Sequence, residues 1–185
     1  ALLREKMAVM RKDFFNTLSQ DQKEELAKAH ATQFFQKFSI EPHHIIAFYW
    51  PIPHEADTLY LAQTLYGHVV LALPKVDPKN GLSFHQWFQG QTLKKNDFKV
   101  WEPAQESPVT PTHFLLPLLA FDEAGYRLGY GKGHYDQAIA FIRKNISNSV
   151  FIGYAYDCQK VSHIPHESHD QKLDYVVTPT QVFAF

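Results

Sequence analysis

The residues best suited to chemistry are concentrated in residues 121–136, which read FDEAGYRLGYGKGHYD. Arg127 and Lys132 bring two cations to this stretch, and its alternating glycines let the backbone approach a ligand and adopt positive φ at no steric cost. These glycines are Gly129, Gly131 and Gly133. Because the stretch leaves an apolar strand pattern and enters a helical one, its backbone amides could cradle phosphate.

Further side chains in the same stretch suit a phosphate site. Tyr130, His134 and Tyr135 offer flat surfaces with polar tips. Asp136 stands at the start of the following helix, where it could hold a hard cation such as Mg²⁺. The plainer interpretation is a flexible turn between strand and helix with solvated charges, and the glycines alone do not decide between the two.

Two common nucleotide-binding motifs do not fit this stretch. A Walker loop needs Ser or Thr after its Gly-Lys pair, but Gly133 follows Lys132, and Tyr126 occupies the position of the motif's first glycine. The dinucleotide fingerprint needs Gly or Ala where His134 stands. Any phosphate site here is therefore of another type.

The surrounding elements predict a mainly parallel sheet covered by helices on both faces, because strand and helix patterns alternate along the chain. The helical patterns cover residues 2–18, 19–38, 57–66 and 135–144. The strand patterns cover residues 44–50, 68–73, 83–88, 114–121, 150–156 and 175–178. Ser19 and Gln22 predict a capping box at the second helix, and Pro117 argues against an unbroken strand around it. Residues 102–113, with three prolines, predict an irregular connection.

The composition limits the class of protein. The 185 residues, 45% of them hydrophobic, suffice for a single domain over residues 1–185. Lys and Arg number 18 against 19 Asp and Glu, so no basic excess indicates nucleic-acid binding. A single cysteine, Cys158, fits a reducing compartment, and no apolar run is long enough to cross a bilayer. We therefore expect a cytoplasmic monomer that acts on small molecules, without nucleic-acid or membrane partners.

Residues 117–136 resemble the signature of the 5-formyltetrahydrofolate cyclo-ligase family, roughly P-G-x-x-F-D-x-x-G-x-R-L-G-x-G-x-G-Y-Y-D. The agreement covers Pro117, Phe121, Asp122, Gly125, Arg127, Leu128, Gly129, Gly131, Gly133, Tyr135 and Asp136. Leu118 replaces the usual glycine, and His134 stands where the first of two tyrosines is common. His134 keeps a planar ring but changes its hydrogen bonding.

Four other segments extend the resemblance over nearly the whole chain. Residues 3–4, Leu-Arg, resemble the end of an N-terminal K-x-x-L-R motif that contacts nucleotide, whose lysine would fall just before the first residue. Residues 55–58, EADT, are similar to an E-x-[DE]-T segment whose glutamate contacts folate. Residues 101–103, WEP, resemble a stretch beside the substrate pocket. Residues 155–178 resemble the family's ending, in which an aspartate, here Asp170, joins the first one at magnesium.

The resemblance implies a three-layer α/β/α fold and an enzyme that uses ATP and Mg²⁺ to convert 5-formyltetrahydrofolate into 5,10-methenyltetrahydrofolate, ADP and phosphate. It implies that Arg127 and Lys132 are catalytic and supply positive charge to the transferred phosphoryl group. The implied ATP-binding residues are Arg4, Arg127, Leu128, Gly129, Tyr130, Gly131, Lys132, Gly133, His134 and Tyr135. The implied substrate-binding residues are Trp50, Glu55, Trp101, Tyr130 and His134, and the implied metal ligands are Asp136 and Asp170.

Two other functions stay open from the sequence: a folate-binding or regulatory relative without turnover, and an ATP-dependent enzyme of the same fold with another substrate. Without the resemblance, Glu55 could be a solvated carboxylate before a helix, and Trp101 could serve only in packing. Three histidines recur at a spacing of three over residues 163–169, but Pro165 breaks any helix there. We therefore expect exposed loop histidines at these positions and no zinc site.

Overall fold

The computed structural model describes residues 1–185. Its helices are α1 (Leu2–Asn16), α2 (Gln20–Lys37), α3 (Leu59–Leu65) and α4 (His134–Asn145). Its first six strands are β1 (Ile45–Ala47), β2 (Val70–Asp77), β3 (Gly81–Trp87), β4 (Leu93–Lys95), β5 (Trp101–Pro103) and β6 (His113–Leu116). The remaining strands are β7 (Ala120–Phe121), β8 (Arg127–Leu128), β9 (Val150–Tyr154), β10 (Tyr175–Val177) and β11 (Val182–Ala184). No helix is both long enough and apolar enough to span a membrane.

Seven strands form the central sheet, in the order β11-β10-β9-β6-β1-β2-β3. The five inner strands run parallel to one another, whereas β3 and β11 add to the two edges in antiparallel orientation. Two small hairpins, β4–β5 and β7–β8, lie outside this sheet. The predicted mainly parallel sheet is therefore confirmed.

Side chains of the inner strands point alternately to the two faces of the sheet and fill a hydrophobic core on each face. On one face, α2 and α3 pack on strand residues that include Ile46, Leu71, Leu115 and Ile152. On the other face, α4 packs through Ala138, Ile139 and Ile142 on the intervening strand residues, such as Ala47, Ala72, Phe114 and Phe151. Successive side chains of a strand point to opposite faces, so buried strands need apolar residues throughout. The fold is the expected three-layer α/β/α arrangement.

Local signals explain where several elements begin and end. The Ser19 hydroxyl accepts from the Gln22 amide at 3.1 Å, and the Gln22 side chain accepts from the Ser19 amide at 2.8 Å, which confirms the capping box of α2. Strand β6 ends at Leu116, directly before Pro117, and β7 begins at Ala120. Because proline has no amide to donate to a ladder, the interruption at Pro117 follows from its chemistry.

The β2–β3 hairpin is longer than the sequence patterns predicted. Strand β2 continues past Leu73 through Pro74 to Asp77, paired with β3 over its whole second half. Its other neighbour, β1, pairs only as far as Ala72, and beyond that point the Val76 amide donates to Glu102. An amide at Pro74 would point to the side of β2 where β1 has already ended, so no strand hydrogen bond is lost. The proline is therefore tolerated within β2.

One short strand corrects the start of the predicted irregular connection over residues 102–113. Strand β5 includes Glu102 and Pro103, and it pairs with β4 in a hairpin that the sequence did not indicate. The Glu102 carboxylate is buried and accepts from Val76 and Asn96, so a long-range contact attaches this hairpin to β2. The edge strand β11 was also not predicted.

Candidate active site

A cavity of about 630 Å³ opens at the carboxyl ends of the parallel strands β1 and β6. Its wall is formed by Arg4 together with parts of residues 49–55, 74–82, 96–100, 117–140 and 165–170. Ligands of open α/β sheets bind in this position, outside the carboxyl ends of the strands, because the connecting loops there converge. The glycine-rich stretch therefore lies where a small-molecule site is expected.

The β7–β8 hairpin carries the start of the glycine-rich stretch, and Asp122 shapes it. Its carboxylate, 2% exposed, accepts from the amides of Ala124 and Tyr126 through Oδ1 and from Ile164 through Oδ2. An aspartate that accepts from amides two and four residues ahead closes a tight turn. Asp122 of the family signature thus orders the hairpin that presents Arg127, and it does not line the cavity.

The three glycines form a loop between β8 and α4 that other residues would not fit. Gly131 and Gly133 have φ values of 88° and 71°, which only glycine adopts freely. A Cβ at Gly129 would lie 2.9 Å from the Arg127 guanidinium. The Arg4 Nε of α1 donates to the Gly129 carbonyl at 3.0 Å, so α1 supports the loop directly.

Arg127 has a buried guanidinium group with unpaired hydrogen-bond donors. Its side chain is 5% exposed, and Nη2 lies 3.1 Å from the Asp136 Oδ1. Neither Nε nor Nη2 has a hydrogen-bond partner, so this ion pair lacks the alignment of a hydrogen bond. Because buried guanidinium donors are costly to leave unpaired, Arg127 is suited to receive an anionic ligand in the cavity.

Lys132 and His134 stand next to each other at the other side of the loop. The Lys132 ammonium lies 5.4 Å from the centre of the Phe98 ring, which the β4–β5 hairpin brings into the cavity wall. The same ring meets His134 edge to face at 5.0 Å. Burial, together with the Lys132 charge, lowers the pKa of His134, so both effects favour the neutral imidazole.

Glu55 lines the same cavity as the glycine loop and is 6% exposed. Its Oε2 accepts from the Ile52 amide at 2.9 Å, and its Oε1 accepts from the Tyr130 hydroxyl at 2.5 Å. The Tyr156 hydroxyl donates to the Glu55 backbone carbonyl at 3.3 Å. Burial raises the pKa of the Glu55 carboxyl. Glu55 is thus a buried, hydrogen-bonded group, and the alternative of a solvated carboxylate is wrong.

Arg11 is a member of this site that the sequence analysis missed. It is 4% exposed, and its Nη1 donates to the Tyr130 hydroxyl at 2.8 Å and to the Leu118 carbonyl at 3.2 Å. The helix was predicted from its apolar residues alone, yet Arg11 lies four residues after Met7 and three before Phe14, which places it on the same stripe. A cation on the apolar stripe was the available signal.

The two predicted metal ligands both line the cavity. Asp136 accepts from the Gln171 amide at 3.1 Å through Oδ1, and Asp170 accepts from the Glu167 amide at 2.8 Å through Oδ2. The His169 Nε2 lies 3.6 Å from the Asp170 Oδ1. No group of three or more His, Cys, Asp or Glu side chains is arranged to hold a metal ion. Asp136 and Asp170 are therefore two carboxylates in the wall of one cavity.

The predicted tryptophans are placed differently. Trp50 lines the cavity beside Glu55, whereas Trp101 lies outside the cavity wall. Trp101 is 38% exposed, and the Lys95 ammonium lies 5.0 Å from the centre of its ring. The hairpin that carries Trp101 contributes Asn96, Phe98 and Val100 to the wall instead. The remaining predicted site residues, from Arg4 to Asp170, are all brought together at the cavity.

An α/β sheet with a cationic glycine loop and a buried carboxylate around one cavity is typical of a protein that binds small molecules. The chain belongs to the 5-formyltetrahydrofolate cyclo-ligase family, and the sequence model of that family matches residues 1–179. This finding confirms the family predicted from the glycine-rich signature, and with it the class of enzyme.

Individual relatives agree with this assignment. The chain is 34% identical over 166 residues to the 5-formyltetrahydrofolate cyclo-ligase of Haemophilus influenzae. This match covers 84% of this chain and 85% of the relative. It is 33% identical over 175 residues to the 5-formyltetrahydrofolate cyclo-ligase of Escherichia coli K12, and this match covers 90% of this chain and 94% of the relative. The solved structure of Aquifex aeolicus 5,10-methenyltetrahydrofolate synthetase superposes with a TM-score of 0.78 at 27% identity, covering 98% of this chain and 90% of that one.

Proposed function

We propose that this chain converts 5-formyltetrahydrofolate into 5,10-methenyltetrahydrofolate, with ATP consumed and ADP and phosphate released. The observation that carries the proposal is the arrangement of the cavity. The cations Arg127 and Lys132 of the glycine-rich stretch, together with Arg4 of α1, line the same cavity as the buried carboxylate of Glu55. The Tyr130 hydroxyl of the loop donates to this carboxylate at 2.5 Å. Such a site can hold a triphosphate and a second, hydrogen-bonding ligand next to each other.

The chemistry follows from the poor leaving ability of a formamide oxygen. The formyl oxygen attacks the γ-phosphorus of ATP, the bond to ADP breaks, and the formyl carbon then carries a phosphate ester. The second substrate nitrogen attacks that carbon, loses its proton, and closes the ring as phosphate departs. Catalysis of such a reaction consists mainly of positioning and neutralising charge, so it needs no protein nucleophile.

The cations of the loop suit the phosphoryl end of this reaction. Arg127 has unpaired guanidinium donors on a buried side chain, and Lys132 forms no ion pair that would have to be broken. Preorganised charge in a site shielded from water stabilises negative charge that develops in the transition state. Arg127 and Lys132 would therefore hold the γ-phosphoryl group, with Arg4 supporting the loop.

The opposite wall suits the folate. Each Glu55 oxygen already accepts one hydrogen bond, from Ile52 or from Tyr130, and keeps one acceptor position. A carboxylate with one free position on each oxygen can accept from two neighbouring donors of the pterin edge. Trp50 adds an apolar surface on the same side of the cavity.

Magnesium fits this site as a partner of the nucleotide. Mg²⁺ is usually held by one or two carboxylates together with substrate phosphates and waters, and Asp136 and Asp170 provide two carboxylates at the cavity. When bound, the metal would neutralise charge on the phosphate groups. We further propose that the protein works as a cytoplasmic monomer on small-molecule substrates, in keeping with its single cysteine.

A turnover assay tests the proposed function. Purified protein with 5-formyltetrahydrofolate, ATP and Mg²⁺ should form the methenyl product and release one ADP for each ring closed. Omitting ATP or chelating the metal should abolish the product. A chain with Lys added directly before Ala1, which completes the K-x-x-L-R motif, is assayed in parallel. Folate binding without product in both chains would contradict the proposal and indicate a regulatory relative.

A further inference from the structure

A chain of two hydrogen bonds crosses the site from α1 to the folate side. Arg11 Nη1 donates to the Tyr130 hydroxyl at 2.8 Å, and this hydroxyl donates to the Glu55 Oε1 at 2.5 Å. The three residues come from α1, from the glycine loop and from the segment after β1. Arg11 also donates to the Leu118 carbonyl, which fixes the guanidinium against the strand connection at Pro117. Tyr130 is thus the bridge between two otherwise separate parts of the cavity.

The direction of the hydrogen bonds in this chain is determined by Arg11. A guanidinium can only donate, so the phenol oxygen must accept from Arg11 and has its single proton left for Glu55. Without Arg11, the Tyr130 hydroxyl could rotate and accept from other donors of the cavity. Arg11 therefore holds Tyr130 as a donor to the carboxylate, and its charge opposes the effect of burial on the pKa of Glu55.

Arg11 also balances the charge of Glu55. The other titratable side chains whose charge acts on Glu55, or is acted on by it, are all tyrosines: Tyr49, Tyr130, Tyr135 and Tyr156. Burial has the largest effect on Glu55 and raises its pKa. Among the groups that lower this pKa, Arg11 is the cation. A buried carboxylate needs such compensation to stay ionised.

We propose that Arg11 is a positioning residue of the active site, which directs the Tyr130 hydroxyl at Glu55 and so fixes the folate-binding carboxylate against the nucleotide loop. The inference rests on the proposed function, because it takes Glu55 as the group that receives the folate. Arg11 itself does not line the cavity, and it acts through Tyr130. Residue 130 falls at an unspecified position of the family signature.

The test compares Tyr130→Phe, Arg11→Met and the double variant with the wild type. Lys12→Met is the matched control, because it removes one positive charge from the neighbouring, exposed position of α1. Two quantities are measured: the affinity for 5-formyltetrahydrofolate by calorimetry, and the pKa of Glu55 by ¹³C NMR of the ligand-free protein, assigned with Glu55→Gln. Thermal unfolding of each variant shows how much folded protein is present.

Both single variants should raise the pKa of Glu55 and weaken folate binding about tenfold, because a hydrogen bond to a charged group is lost. Folate binding requires the ionised carboxylate, so folate affinity is lost as the pH falls through the pKa of Glu55. The variants should therefore lose folate affinity at a higher pH than the wild type. The double variant should lose less folate affinity than the sum of the two single losses, since both changes break the same chain. Lys12→Met should match the wild type.

A wild-type pKa of Glu55 and wild-type folate affinity in Tyr130→Phe would overturn the proposal. This variant decides the question even if Arg11→Met fails to fold, because it removes only the bridging hydroxyl. Arg11→Met that unfolds at lower temperature but keeps both quantities would show a merely structural role and overturn it as well. A wild-type protein that binds no 5-formyltetrahydrofolate overturns the proposed function, and the titration of Glu55 still decides whether Arg11 acts through Tyr130.

Discussion

Two charged side chains of the cavity are almost equally buried but unequally satisfied. Glu55 accepts from Ile52 and Tyr130, whereas two of the three guanidinium nitrogens of Arg127 have no hydrogen-bond partner. An unpaired buried donor costs about 1–3 kcal/mol, and a ligand that accepts from it recovers that free energy. At the scale of single residues, Arg127 is therefore the less satisfied of these two charged groups.

The first prediction concerns Arg127 and Lys132, the two cations proposed to hold the transferred phosphoryl group. Arg127→Ala and Lys132→Ala should each lower kcat on the order of 10²–10³-fold and weaken ATP use more than folate binding, because a preorganised charge is removed. Steady-state kinetics with each substrate varied in turn measures this. Lys144→Ala, at the exposed end of α4, is the control and should keep wild-type kinetics. Unchanged kinetics in both loop variants would remove the loop from the mechanism.

The second prediction concerns the folate side. Glu55→Gln should weaken 5-formyltetrahydrofolate binding while nucleotide affinity stays close to wild type. Both Glu55 oxygens face a donor, the Ile52 amide and the Tyr130 hydroxyl. An amide offers only one acceptor oxygen, so its NH₂ group would oppose one of these donors. Calorimetry with each ligand measures the effect, and Glu25→Gln, on the exposed face of α2, is the control. Equal folate affinity in Glu55→Gln and wild type would leave the residue with a structural role only.

At the scale of elements, the site depends on how α1 and α4 meet the glycine loop. Helix α1 packs on the β7–β8 hairpin through Met7, and Arg4 and Arg11, seven residues apart on the same face, reach Gly129 and Tyr130. Helix α4 begins at His134, directly after the loop. Its first turn passes so close to Gly81, at the start of β3, that a Cβ there would overlap the His134 carbonyl oxygen.

The third prediction uses this contact. Gly81 and Gly67 both have positive φ, 81° and 84°, but a Cβ at Gly67 would meet no atom within 4 Å. Gly67→Ala should cost only the conformational strain, about 1–2 kcal/mol. Gly81→Ala should cost about 1–3 kcal/mol more, because α4 must shift, and it should also raise the KM for ATP. Urea unfolding and kinetics of the two variants measure the difference. Equal losses of stability with an unchanged KM would show that the start of α4 does not position the loop.

At the scale of the whole molecule, the predictable features were those set by local chemistry. The capping box of Ser19 and Gln22, the break at Pro117 and the glycine loop each depend on residues close in sequence. The β4–β5 hairpin was missed because a distant contact, Glu102 with Val76, holds it. The placement of Trp101 outside the cavity depends on that hairpin.

Arg11 shows the same limit at the site itself. Its contacts, Leu118 and Tyr130, lie 107 and 119 residues away. Only the folded chain shows which residues the guanidinium of Arg11, on the apolar stripe of α1, can contact. In contrast, the cations of the loop and Glu55 could be predicted, because their motifs are contiguous and match a known family over most of the chain.

The central claim is that ATP activates the formyl oxygen by phosphorylating it, and an isotope experiment tests this most directly. The protein is given 5-formyltetrahydrofolate labelled with ¹⁸O in the formyl group, together with ATP and Mg²⁺, and the released phosphate is analysed by mass spectrometry. The account predicts one ¹⁸O atom in the inorganic phosphate for each ring closed. Product formed with unlabelled phosphate, in ordinary water, would contradict phosphoryl transfer to the formyl oxygen.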